Sequence, residues 1–270
     1  MDKYWSDKGR LNITLRLIYL FPFLDNAPKD GFVECNELEA WIMQQATDRM
    51  NYRTQKDLAL HDKDGDEAIS FQEYIPQFSI QDLGVSSTAR NEMGHGEAGW
   101  WKEQFKNADI DLNGILNFYE FRDFLHPEDS NNEQIHKWLL TEKLKPIDYD
   151  HDEKLSFLEF KNGIYDIYKN YVEFENGGAN VPYPEDVFVE LDVNEDKLLR
   201  VEELKPIFHY LSPGELSYAK YYAIYLIQEA DDNEDGKLTL DEMIWHENIF
   251  TTQFMRMEYL TDDDDLHEEL

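Results

Sequence analysis

The stretch Asp231 to Glu242 reads DDNEDGKLTLDE and sets oxygen-bearing side chains at alternate positions: Asp231 at 1, Asn233 at 3, Asp235 at 5 and Glu242 at 12. A hard divalent cation of calcium's size takes roughly six to eight oxygen ligands, so a short loop must turn sharply for such side chains to converge on one point. Gly236, at position 6, permits the positive φ of that turn. The backbone carbonyl of Lys237 at position 7 adds an oxygen while its side chain points away, and Glu242 at the start of the following helix supplies two more. One acidic loop with glycine at its apex is a common surface feature, and only recurrence of the pattern distinguishes a metal site from it.

The pattern does recur. Asp62, Asp64, Asp66, Ala68 through its carbonyl, and Glu73 form a second set. Asp109, Asp111, Asn113, Ile115 and Glu120 form a third; Asp148, Asp150, Asp152, Lys154 and Glu159 a fourth; Asp192, Asn194, Asp196, Leu198 and Glu203 a fifth. These are EF-hand calcium loops, and the cofactor they predict is Ca2+ at about five sites. Position 6 is glycine in Asp109–Glu120 and Asp231–Glu242, but Glu67, Glu153 and Lys197 elsewhere. A Cβ in the left-handed region costs about 1 kcal/mol, so those three loops are expected to bind more weakly. Lys197 and Arg200 put two cations beside the Asp192 loop, the expected weakest of the complete ones.

A degenerate hand precedes them. Placing Gly31 at position 6 puts Asp30 at 5 and Glu37 at 12, but Asn26 then falls at 1 and Pro28 at 3, whereas starting from Asp25 requires one extra residue. Asp25, Asp30 and Glu37 are its candidate ligands, and its expected role is that of a structural partner.

Six helix-loop-helix units must position these loops. Position 8 is aliphatic throughout, Val33, Ile69, Leu116, Leu155, Leu199 and Leu238, as a short β-bridge between paired loops requires. First positions at 25, 62, 109, 148, 192 and 231 give gaps that alternate short and long. That rhythm predicts an all-α protein of three successive two-handed modules: pair 1 over 1–79, a linker over 80–95, pair 2 over 96–174, a linker over 175–181, pair 3 over 182–252, and an acidic tail over 253–270. One helix is expected over Glu37–Ala46 and a second ending near His61. A helix is expected to run from loop 4 through Phe160, Ile164 and Tyr168, and Ser212-Pro213-Gly214-Glu215 reads as a capping box with proline at the first helical position.

Against 58 acidic residues stand 25 basic ones, a formal charge of -33 that excludes nucleic acid and anionic membrane surfaces as natural partners. Hydrophobic residues make up 41% and aromatics 14%, too many for a solvated acidic coil. The single cysteine, Cys35, rules out an intrachain disulfide, and no run approaches the roughly 18 apolar residues of a membrane span. The opening MDKYWSDKGR has no apolar signal region, which implies a cytosolic protein or one whose leader is missing from the numbered chain. Asn12-Ile13-Thr14 is a glycosylation sequon, with Asn12 the candidate acceptor in a lumenal protein.

Six hands, GHGEAGWW before the third loop, FLHPEDS after it, YLSPGELSYAKYY before the sixth and a tail ending DDDDLHEEL together resemble the reticulocalbin and calumenin (CREC) family over nearly the whole chain. The resemblance implies a calcium-binding protein of the secretory pathway lumen, including the endoplasmic reticulum, with modest affinity and roles in buffering and in assisting client proteins. It also implies a cleaved leader and a terminal His-Asp-Glu-Leu signal or a close variant of it. Here His267-Glu268-Glu269-Leu270 has Glu where the commoner signal has Asp. Such a signal is an address read by a receptor and anchors nothing.

A cytosolic sensor, gripping target helices or serving as a regulatory subunit, is the alternative. Sensors favour methionine-rich grooves, and 7 Met stand against 16 Tyr, 16 Phe and 6 Trp, which favours closed modules. No HExxH, GxSxG or phosphate loop is present, so no enzyme is expected. The expected partners are calcium and basic or unfolded client proteins, and the expected state is a monomer without membrane insertion.

Overall fold

A computed structural model describes residues 12–76, 97–175 and 181–250. The linker expected at 80–95, nearly all of that at 175–181, the acidic tail and His267–Leu270 lie outside the described residues. Within them the architecture is all-α, with six two-residue strands, one at each loop.

Helix α1 (Ile13–Leu24) leads into loop 1, followed by β1 (Val33–Glu34) and α2 (Cys35–His61); loop 2 carries β2 (Ile69–Ser70) and is left by α3 (Phe71–Tyr74). Helix α4 (Glu97–Ala108), β3 (Ile115–Leu116) and α5 (Phe118–Leu125) frame loop 3. Helix α6 (Glu133–Leu144), β4 (Leu155–Ser156) and α7 (Phe157–Gly163) frame loop 4, with α8 (Tyr165–Glu175) beyond. Helix α9 (Pro184–Leu191), β5 (Leu198–Leu199), α10 (Val201–Leu204) and α11 (Phe208–Leu211) belong to loop 5. Helix α12 (Glu215–Ala230), β6 (Lys237–Leu238) and α13 (Leu240–Trp245) complete loop 6.

The helices leaving the loops start where they do for a local reason. Ser70, Asn117, Ser156 and Thr239, each at position 9, cap their helices by accepting the N–H of the position-12 glutamate, whose carboxylate accepts the cap residue's own N–H in return. This reciprocal box fixes the position of the glutamate carboxylate.

The strands pair antiparallel and put the position-8 residues opposite one another: Ile69 faces Leu116, Leu155 faces Leu199, and Val33 faces Leu238. All six are fully buried. Three pairs of hands therefore hold, but their membership differs from the expected one. The pairs are 2 with 3, 4 with 5, and 1 with 6. The alternating gaps misled because α2, expected as two helices, is one unbroken helix of 27 residues. The chain has no turn between loops 1 and 2 in which to reverse.

Each bridge sits in its own apolar core. Ile69 and Leu116 pack with Phe105, Phe121, Phe124 and Ile135; Leu155 and Leu199 with Leu140, Phe160, Phe188 and Leu204; Val33 and Leu238 with Leu17, Leu38, Leu226 and Met243. The first of these is sealed by Tyr74, whose ring lies 5.0 Å from that of Phe124 and 5.6 Å from that of Phe121, both edge-on. The chain forms two compact units, one from residues up to Arg49 together with those from Tyr218 onward, the other from Met50 to Ser217.

Two further expectations are corrected. The helix after loop 4 breaks at Ile164, where Gly163 packs so close to Ile147 that an added Cβ would lie 2.4 Å from its side chain. At the start of α12, Asp129 accepts the N–H groups of Glu215 (2.7 Å) and Leu216 (2.8 Å), so the orphan donors of the first turn are met from the segment after loop 3 rather than by a local box.

Candidate metal centres

Loop 3 displays the arrangement most fully. Asp109 accepts the N–H groups of Asn113 (3.0 Å) and Gly114 (2.9 Å), and Glu120 accepts those of Ile110 (2.9 Å) and Asn117 (3.1 Å). Asp109 is 8% exposed and Glu120 4%. Oxygens of Asp109, Asp111 and Glu120 lie within 4.8 Å of one another, as do those of Asp148, Asp150 and Glu159, and of Asp62, Asp64 and Asp66. In loops 3 and 4 the backbone thus aims carboxylates from the two ends of the loop toward one point, and in loop 2 those of positions 1, 3 and 5, leaving lone pairs for a hard cation.

The same wiring runs through the other complete loops. The position-1 carboxylate accepts the N–H of position 6: Glu67 to Asp62 (3.0 Å), Glu153 to Asp148 (2.9 Å), Lys197 to Asp192 (2.9 Å) and Gly236 to Asp231 (2.6 Å). The position-5 side chain accepts the N–H of position 7, from Ala68 (2.9 Å), Ile115 (2.8 Å), Lys154 (2.9 Å), Leu198 (2.9 Å) and Lys237 (3.0 Å), which fixes the peptides expected to offer carbonyls.

Position 6 has positive φ in every loop, including Glu67 at 62°, Glu153 at 63° and Lys197 at 65°. Position 4 does too, a feature the sequence reading missed: Gly65, Leu112, His151, Glu195 and Glu234 lie there. Only in loop 2 does glycine stand at position 4. Loops 4 and 5 therefore carry two left-handed residues with side chains, and loops 2, 3 and 6 carry one.

In loop 5 one of the two flanking cations lies against a candidate ligand. The Arg200 guanidinium lies 3.4 Å from Asp196, holding one of the loop's four side-chain candidates in an ion pair. In loop 6 the amide nitrogen of Asn233 donates to Glu242 (3.1 Å), which brings positions 3 and 12 of that loop together. The position-9 capping residues were also missed. Their signal was legible as S/T/N-x-x-E in SFQE, NFYE, SFLE and TLDE.

Electrostatics reflect the crowding. Asp150 is pushed above its ordinary value, by lost hydration and then by the charges of Asp152 and Glu159. Glu73 is held low by the Ser70 hydroxyl and the backbone N–H groups of Ser70 and Lys63. Burial opposes ionisation of Glu159, but the Ser156 hydroxyl and the N–H groups of Ser156 and Tyr149 outweigh it and hold that carboxyl low.

The donors of the five complete loops are oxygens throughout, without thiolate or imidazole, and this set suits calcium rather than zinc or copper. Loop 1 fits less well. Asp25 is its first position, as its bonds from Asp30 N and Gly31 N (both 3.0 Å) indicate, and the extra residue falls between positions 1 and 5, where Ala27-Pro28 offers no side-chain oxygen. Burial works against ionisation of Glu37, yet N–H groups of Glu34, Ala27 and Asn26 hold its carboxyl low.

At the amino end, exposed Asn12 caps α1 by accepting the N–H of Leu15 (2.9 Å) through its side-chain oxygen. No described helix is long and apolar enough to cross a membrane.

No protein-family model matches the chain. Among curated proteins it is similar to the 45 kDa calcium-binding protein of Xenopus tropicalis, 26% identical over 244 residues that cover 83% of this chain and 65% of that one. It is also similar to Reticulocalbin-2 of Crotalus adamanteus, 26% identical over 255 residues (89% of this chain, 78% of that one), and of Mus musculus, 25% over 235 residues (84% and 70%). The alignment thus spans just under two thirds of the frog protein's length. These similarities bear out the resemblance to the reticulocalbin and calumenin family.

Proposed function

We propose that the five complete loops bind calcium and that the protein acts as a calcium buffer in the lumen of the secretory pathway, with the endoplasmic reticulum as its station. The observation that carries this reading is the convergence of carboxylates from positions 1, 3 and 12 in loops 3 and 4. Calcium supplies the positive charge that these carboxylates lack. The chain supplies the turn, the hydrogen bonds that aim each oxygen, and the bridges that tie loops in pairs. Acids gathered this closely repel one another, so neutralising them favours the compact state and binding becomes linked to folding. Five divalent ions would bring the formal charge from -33 to about -23, leaving acid for weaker cation binding and for basic or unfolded client proteins.

Side-chain-bearing residues at left-handed positions and the Arg200–Asp196 pair favour the weak range of lumenal modules, roughly 10⁻⁴ to 10⁻³ M. Lumenal placement rests on the likeness to reticulocalbins, with Asn12 as glycan acceptor and His267–Leu270 as retrieval signal. Calorimetric calcium titration followed by circular dichroism tests the reading. It requires about five sites at tens of micromolar or weaker, with helix gained on binding. Submicromolar cooperative binding to two sites, with apolar surface exposed, would replace it with the sensor.

A further inference from the structure

We propose that the first hand is closed internally by the ammonium group of Lys237, so that the pair of hands 1 and 6 takes a single metal ion, in hand 6. This rests on the calcium reading of hand 6. The strand register sets Glu34, position 9 of loop 1, directly opposite Lys237, position 7 of loop 6. From there the lysine side chain crosses to its neighbour. Its Nζ lies 2.6 Å from Glu34 Oε1, 3.8 Å from Asp30 Oδ2, and 5.6 Å from the centroid of the Phe32 ring.

Loop 1 gathers four carboxylates: Asp25, Asp30, Glu34 and Glu37. The two that are buried, Asp25 and Glu37, are held by backbone donors. Asp25 takes the N–H groups of Asp30 and Gly31, while Glu37 takes those of Asn26 (3.0 Å), Ala27 (2.8 Å) and Glu34 (3.0 Å). The remaining two face Lys237. With no side-chain oxygen at the third position and an ammonium already at the fifth and ninth, the loop lacks donors for a cation that wants six or more. A tethered monovalent group does there what a free divalent ion does in the complete loops. Lys237 thus serves two loops at once, its peptide N–H bonded to Asp235 in its own loop and its charge lent to the partner.

Equilibrium dialysis of the full chain with calcium separates this assignment from the reading beneath it. Glu37→Gln is expected to leave the bound-ion count at the parent value, and Glu242→Gln to lower it by about one. A loss of one ion in Glu37→Gln overturns the internal closure. No loss in Glu242→Gln overturns the calcium reading of hand 6 instead. The lysine is tested by thermal unfolding in saturating calcium. Lys237→Gln and Glu34→Gln are each expected to lower the midpoint by about 2–4 °C, with the double variant no worse than either alone, and Lys237→Arg to restore it. Additive losses in the double variant, or unchanged midpoints, overturn the role given to Lys237.

Discussion

A β-carbon placed on Gly214 would lie 2.1 Å from Oδ1 of Asp129, whose two oxygens accept the first N–H groups of α12. The glycine leaves room for a helix cap delivered from nearly ninety residues earlier in the chain. Asp129→Ala is expected to lower the stability of the calcium-loaded protein by about 1 kcal/mol. Gly214→Ala should reproduce that loss by pushing the carboxylate aside, and the double variant should add little to either. Urea unfolding of the three variants checks this.

The bridge pairing predicts which residues are coupled. Truncating Ile69 or Leu116 to Ala should cost about 2–5 kcal/mol each, and their double-mutant cycle should show an interaction energy of about 0.5 kcal/mol or more. Leu116 and Leu155, partners under the rhythm of the gaps, should show none. A cycle with the opposite outcome would restore the sequential pairing.

How much of this was legible is clear from those residues. The positions of the loops and the buried aliphatic at position 8 could be read directly, because coordination chemistry and a two-residue bridge each demand particular side chains at particular spacings. Partner choice could not. Ile69 and Leu155 are chemically interchangeable as partners for Leu116, although the absence of glycine and proline from Glu37–His61 was a legible sign of one continuous helix. The Lys237–Glu34 contact was equally hidden, since it depends on which strand lies beside which.

Left-handed residues with side chains predict a graded response to glycine. Glu153→Gly and Lys197→Gly relieve strain of roughly 1–2 kcal/mol in the folded loops, offset in part by the greater freedom of glycine when unfolded. Calcium affinity at loops 4 and 5 should rise by about two- to tenfold. Gly236→Ala should lower it at loop 6 by a similar factor. Site-resolved titration by NMR distinguishes the loops.

Acid should act on the metal-free protein in a defined window. Glu73 and Glu159 have folded-state values below the ordinary 4.5, so they contribute stability that is fully present above that value. The contribution is lost as pH falls from about 4.5 through the lower folded value. Ser70→Ala and Ser156→Ala, which remove the hydroxyls that hold the two carboxyls low, should flatten this part of the stability profile, as measured by denaturant unfolding between pH 3 and 6, a range of about three units.

The most direct test is a count of calcium ions retained by the purified full-length chain in equilibrium dialysis at about 1 mM free calcium. The expected count is about five, falling by about one in Glu120→Gln and by two when Glu242→Gln is added. A chain that retains no calcium, or whose count is the same in parent, single and double variants, would contradict the assignment of these carboxylates as ligands.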